Sequence, residues 1–240
     1  MKILIIRHGD PNYETDSLTE QGKIEAELLS DKLCNMGIDA FYVSPLGRAR
    51  LTAEYTLKKL GKEAEILDWL REFPPKVDKP NELQEICWDW LPKDWVNVPD
   101  FFDMEKWTDV EAFAKSNVRA AYDYVCNGLD ELLARHGYER DGKLYKAVNA
   151  NEDTIALVCH FGLESVLLSH LLNIPTMLLW HGTCAAPTSV PTLVTEEREK
   201  GIAYFRMGSF GDTSHLYVAG VAPSFSARFC ETFDTPGQRH

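Results

Sequence analysis

Two histidines stand at the ends of apolar runs, each with a glycine close behind. Residues 3–9 read Ile-Leu-Ile-Ile-Arg-His-Gly, and residues 155–162 read Ile-Ala-Leu-Val-Cys-His-Phe-Gly. Consecutive apolar residues of this length describe strands covered on both faces, as in the middle of a parallel sheet. In open α/β sheets ligands collect beyond the carboxyl ends of such strands. Arg7, His8 and His160 therefore stand where that topology puts chemistry, and two parallel strands would let the imidazoles face each other. A third apolar run, residues 40–44, leads through Pro45 into a helical pattern carrying Arg48. Proline suits a first helical turn, which predicts Arg48 near a helix N-terminus, where unpaired N–H groups and the dipole favour anions. Two arginines, two imidazoles and a helix start converging on one rim would make a site for a small anion.

The elements that must position these residues follow from periodicity. A helix is predicted over residues 19–36, with Ile24, Leu28, Leu29, Leu33 and Met36 as its apolar stripe and Gly37 as its end. A second helix runs over 45–60 and stops at Gly61, and a short strand follows over 65–70. This β-α-β-α-β alternation signals a parallel sheet with helices on its faces. The class predicted is α/β, a three-layer sandwich with a mostly parallel sheet flanked by helices. It forms one domain over residues 1–240, interrupted by an aromatic-rich insertion at about 73–109. Trp88, Trp90, Trp95, Phe101, Phe102 and Trp107 crowd that insertion. They suit either a cluster that shields the sheet edge or a dimer contact, or a cap over the site. The longest helical pattern covers 110–135, where His136 reads as a helix-end cation or plain surface. A short strand at 145–148 precedes the His160 strand, and a helix over 163–172 follows it. Strands are predicted at 189–196, 202–207 and 213–218, and the tail from Ala219, with Pro223 and Pro236, along the surface. Arg50 reads as a solvated helix residue.

Composition narrows the partners. The 240 residues carry a formal net charge of −12 with a pI near 5.0, which argues against nucleic acid, whose partners present a basic face. Arginines in so acidic a chain point to a local anion site. No run approaches membrane-spanning length, and the first ten residues are too short in apolar content for a signal-peptide core. Cys34, Cys87, Cys126, Cys159, Cys184 and Cys230 lie far apart with no Cys-x-x-Cys pair, as expected of reduced thiols in a cytoplasmic protein. His181 and Cys184 beside Cys159 and His160 lack the pair-plus-pair spacing of a zinc site, and two guanidinium groups would repel a cation. No metal and no other cofactor is expected.

The ordered set of motifs resembles the histidine phosphatase superfamily, the branch that includes cofactor-dependent phosphoglycerate mutase. Arg7-His8-Gly9 matches the N-terminal motif and residues 18–22 (Leu-Thr-Glu-Gln-Gly) the turn into the first helix. Residues 44–49 with Thr52-Ala53 match the second motif, residues 159–162 the second histidine's site, and residues 188–190 with 193–194 the late strand. The resemblance implies that His8 is phosphorylated during turnover. An imidazole meets a phosphoryl group without the repulsion a carboxylate would feel. Arg7, Arg48 and a protonated His160 would hold the non-bridging oxygens of a transfer that depends mainly on positioning and electrostatics. Asn12 and Phe161, beside these motifs, are expected to bind substrate. Leu70-Arg71-Glu72 resembles the position of the general acid, although Phe73-Pro74-Pro75 replaces the residues that usually follow, and Asp10, Glu85 and Asp89 stand as alternatives. The chain lacks the mutase opening RHG-x-S-x-x-N and a basic substrate segment. Hydrolysis of a small-molecule phosphoester, as by a histidine acid phosphatase-type phosphomonoesterase, is therefore expected over phosphoglycerate mutase-type transfer or non-catalytic phospholigand binding. A homodimer is a possible assembly.

Overall fold

The computed structural model describes residues 1–80, 85–225 and 232–234. Strand β1 (Lys2–Arg7) leads into a small antiparallel pair, β2 (Pro11–Asn12) and β3 (Ser17–Leu18). Helix α1 (Glu20–Leu33), strand β4 (Ala40–Val43), helix α2 (Gly47–Leu60) and strand β5 (Glu65–Ile66) follow. A stretch of turns then holds the short helices α3 (Pro92–Trp95) and α4 (Glu111–Ala114) before helix α5 (Val118–Arg135). The hairpin of β6 (Tyr138–Asp141) and β7 (Leu144–Ala147) precedes β8 (Thr154–Cys159), α6 (Phe161–Leu172) and α7 (Thr176–Gly182). A second hairpin, β9 (Thr192–Glu199) and β10 (Ile202–Ser209), leads to α8 (Ser214–Val218).

Eight strands form one sheet in the order β5-β4-β8-β1-β9-β10-β7-β6. The first four are mutually parallel, and beyond β1 the ladder turns antiparallel, with only β9 and β7 running against the rest. Side chains alternate across a strand. Ile3 and Ile5 thus enter the core that contains Val125 and Leu129 of α5 and Leu163 and Val166 of α6. Leu4 and Ile6 enter a second core with Leu29 and Leu33 of α1 and Ala49 and Ala53 of α2. Helices close both faces, which makes the sandwich three layers deep. The register pairs Arg7 with Cys159 and Val43 with Val158, so β1, β8 and β4 end almost flush.

Several elements depart from the sequence reading. Gly22 packs so closely on residue 10 that a Cβ there would meet the Asp10 carbonyl oxygen at 2.2 Å. This contact fixes the buried face of α1 along Gly22, Ala26, Leu29 and Leu33 and carries Glu25 inward, leaving Ile24 49% exposed. The strand predicted over 65–70 covers only Glu65–Ile66, because the chain turns into a 3-10 turn at Asp68–Leu70. The helix predicted over 110–135 breaks after α4: Phe113 is drawn into the insertion's ring cluster, while α5 packs on the sheet. The strand predicted over 213–218 is instead helix α8 (Ser214–Val218). Asp212 Oδ1 accepts the Ser214 N–H at 2.8 Å at its start, and its Leu216 is buried where the helix meets α1. His136 closes α5 without being a surface cation. It is half-buried, its Nε2 lies 2.8 Å from the Tyr42 hydroxyl, and burial lowers its pKa. In the insertion, Trp90, Phe101 and Trp107 are buried with Phe113 and Trp180 as a continuation of the α5–α6 core. Residues 81–84 of the insertion, and Cys230 and Pro236 of the tail, lie outside the described residues. Among the described residues no helix is long and apolar enough to cross a membrane.

Candidate active site

The flush strand ends place His8, His160 and Ser44 side by side. The His8 N–H donates to the Cys159 carbonyl and the Ser44 N–H to the Val158 carbonyl, both at 3.0 Å, and the two imidazole centroids lie 5.1 Å apart. Two contacts fix the His8 ring. Its Nδ1 lies 2.7 Å from the Gly9 carbonyl oxygen, and Arg48 Nε donates to its Nε2 at 3.3 Å. A carbonyl can only accept and a guanidinium can only donate, so the proton sits on Nδ1 and the lone pair on Nε2. Burial, then the charges of Arg7 and Arg48, push the His8 pKa well below the ordinary value. The ring is therefore neutral, with Nε2 available as a nucleophile. Gly9 is required by close packing, since a Cβ there would fall 2.7 Å from the Gly22 carbonyl oxygen.

Arg7 is buried, and its Nη1 donates to the Ala185 carbonyl at 2.5 Å while its guanidinium lies 5.9 Å from the centre of the Phe161 ring. Arg48 sits in the first turn of α2, as predicted, but the anion attraction of that helix start is already met within the chain. Asp16 Oδ2 accepts the Gly47 N–H and Asp16 Oδ1 the Arg48 Nη1, each at 2.6 Å, and Ser44 Oγ accepts the Leu46 N–H at 3.2 Å. Burial works to raise the Asp16 pKa, yet its bonds to Gly47 and Arg48 hold the carboxylate below the ordinary range. Thr52 ties the two motifs together: its hydroxyl accepts the Gly9 N–H at 2.9 Å and donates to the Arg48 carbonyl at 2.7 Å.

His160 caps α6. Its Nε2 lies 2.8 Å from Ser44 Oγ, and its Nδ1 is buried without a hydrogen-bond partner among the described residues. Burial, then His8, Arg48 and Arg7, hold its pKa well below the ordinary value. The ring is therefore neutral, and the imidazolium that the resemblance implied needs an anion between the arginines to stabilise it. Glu72 lies at the start of α6. Its Oε1 accepts the Phe73 N–H at 2.9 Å and the Leu163 N–H at 3.0 Å, and its Oε2 the Gly162 N–H at 3.5 Å. Burial raises its pKa, while those amides and the two arginines pull the other way.

The remaining sequence candidates are placed differently. Asn12 uses its amide oxygen to accept the N–H groups of Glu14 and Thr15 within its own loop. Asp10 Oδ2 accepts the Thr19 hydroxyl at 2.7 Å, Glu85 pairs with Lys76 at an exposed position, and Asp89 occupies a half-buried turn with φ +67. His181 has Nδ1 2.9 Å from the Met177 carbonyl and Nε2 accepting the Trp90 N–H at 3.1 Å, so both ring nitrogens are committed. Asp16 was missed by the sequence reading, as was Glu164, a carboxyl that is 1% exposed on α6 with neither oxygen hydrogen-bonded among the described residues. Its nearest signal in the sequence is a lone acid inside a mostly apolar helix.

The family model of the histidine phosphatase superfamily (branch 1) matches residues 3–207, and the chain belongs to that family. Phosphoserine phosphatase 1 of Hydrogenobacter thermophilus is 26% identical over 149 residues, which cover 57% of this chain and 66% of the relative. The mitochondrial serine/threonine-protein phosphatase Pgam5 of Drosophila melanogaster is 33% identical over 88 residues, 32% of this chain and 30% of that protein. Neither match reaches two thirds of the relative's own length. Among solved structures, a phosphoserine phosphatase mutant from Entamoeba histolytica in complex with phosphoserine superposes with a TM-score of 0.59 at 19% identity, covering 90% of this chain and 98% of that one. That likeness is one of fold.

Proposed function

We propose that the chain is a phosphomonoesterase of the histidine phosphatase type that hydrolyses a small phosphorylated metabolite through a phosphohistidine at His8. The observation that carries this reading is the neutral His8 ring with Nε2 unprotonated, next to two guanidinium groups and 5.1 Å from a second imidazole. In the first step the Nε2 lone pair attacks phosphorus and the ester P–O bond breaks. Arg7, Arg48 and His160 hold the equatorial oxygens, whose charge is stabilised more strongly as the transfer proceeds. Glu72, whose pKa burial raises, gives its proton to the departing oxygen. As a carboxylate it then takes a proton from water, which attacks phosphorus and breaks the N–P bond, releasing phosphate.

The phosphatase names of the relatives support the reaction class, and the acidic, aromatic insertion supports water as the acceptor in place of a second phosphorylated metabolite. The finer assignment to the histidine acid phosphatase type is part of the same proposal. Purified His8→Ala is expected to keep the native circular-dichroism spectrum and lose hydrolysis of aryl and alkyl phosphates. Wild-type turnover by that variant would overturn the proposal.

A further inference from the structure

The general acid marks the side of the site on which the leaving group stands, and one ring of the insertion meets the acid there. A Cβ added to Gly162 would fall 2.8 Å from Glu72 Oε1 and 2.3 Å and 2.4 Å from Cζ3 and Cη2 of Trp88. The carboxyl oxygen and the six-membered ring of the indole thus share one contact point at the start of α6. Trp90, Phe101 and Trp107 are buried in the core, but Trp88 is half-buried. It rests on Trp180, with centroids 5.9 Å apart, and lies edge-on to Phe161 at 6.4 Å. Its backbone is pinned: Lys79 Nζ donates to the Trp88 carbonyl at 2.8 Å and to the Asp89 carbonyl at 3.2 Å, and the next amide, Trp90 N–H, donates to His181. The ring is therefore a preset platform.

We infer that Trp88 determines specificity, and that the preferred substrates are phosphomonoesters whose leaving group carries a flat, apolar portion close to the ester oxygen. This rests on the hydrolase reading, because Glu72 is what orients the ester. An oxygen that takes its proton from Glu72 directs its substituent onto the next surface, which is the indole, with Phe161 and Trp180 behind it. The carboxylate of a hydroxy acid would meet the Glu72 side of the site, and Lys79, whose Nζ holds the Trp88 backbone, is already engaged by two carbonyls. An aromatic or apolar group gains burial and ring contact there at no ionic cost.

Binding of phosphonates separates this inference from catalysis. Isothermal titration of the wild-type protein should show 2-naphthylmethylphosphonate binding about tenfold more tightly than methylphosphonate, the factor expected of one aromatic contact with partial burial. Trp88→Ala should remove most of that difference, Trp88→Phe should keep it, and Trp88→Leu, which preserves apolar bulk without a flat face, should fall between. Equal affinity of the two phosphonates for wild type would overturn the inference, as would a Trp88→Ala protein that weakens both by the same factor. Hydrolysis assays on wild type and His8→Ala report on the phosphatase reading separately. Phosphonate discrimination without turnover would overturn that reading and leave the Trp88 contact standing.

Discussion

Glu164 offers a test of how the site is built that does not depend on turnover. Its carboxyl lies on α6 facing the core, 1% exposed, with no hydrogen-bond donor to either oxygen among the described residues. Burial pushes its pKa from the ordinary 4.5 up to about 8; the nearby Arg7 opposes the rise and Glu72 adds to it. An acid whose folded pKa is raised binds its proton more tightly in the folded chain than in the unfolded one. The folded state therefore carries no ionic penalty below about pH 4.5, loses stability as pH rises toward 8, and bears the full penalty above that. At about 1.4 kcal/mol per pH unit, the whole displacement corresponds to about 5 kcal/mol, of which about 3 kcal/mol develops between pH 6 and pH 8.5. Glu164→Gln keeps the shape and cannot ionise. Urea unfolding of both proteins at the two pH values cancels every other titrating group. The variant should gain about 3 kcal/mol on wild type between pH 6 and pH 8.5. A difference between the two proteins that does not change with pH would refute the placement of Glu164 as a buried, unpaired acid.

Glu72→Gln removes the proposed proton donor, so hydrolysis of an alkyl phosphate should fall by about 10²-fold or more, while p-nitrophenyl phosphate, whose leaving group needs no proton, should lose far less. Steady-state rates across a series of phenol leaving groups check this, and an equal loss for every ester would assign the acid elsewhere. Asp16→Asn leaves Arg48 without its ionic partner. Since a hydrogen bond to a charged group contributes about 1.5–3 kcal/mol, kcat/KM should drop by about tenfold or more. Wild-type kcat/KM in that variant would show that Arg48 holds its position unaided.

The parts legible in the sequence are those in which chemistry and local pattern coincide. An apolar strand ending on Arg7-His8-Gly9, and another ending on Cys159-His160, show both the residue and its place in the sheet, because strand ends in a parallel sheet share an edge. Glu72 was legible as a residue after a short strand. Its contact with the amides of α6 was not, because those amides belong to residues 90 and more positions away. Asp16 stands in a turn at φ 46 and acts on a residue 32 positions on, with no periodicity to announce it. The Ala185 carbonyl that holds Arg7 is a backbone group and leaves no mark in the sequence. Residues 213–218 were too few to separate a period of two from one of 3.6. The shift of the α1 stripe arose from the approach of Gly22 to residue 10, a tertiary contact that overrides a count of apolar positions.

The central claim is that His8 Nε2 becomes covalently phosphorylated. Intact-protein mass spectrometry after rapid quenching without acid, during turnover of an aryl phosphate, tests it most directly. Wild type should show a transient adduct of one phosphoryl group, mapped to His8 and decaying as inorganic phosphate appears, and His8→Ala should show none. Phosphate release by wild type with no adduct, or an adduct that persists in His8→Ala, would contradict it.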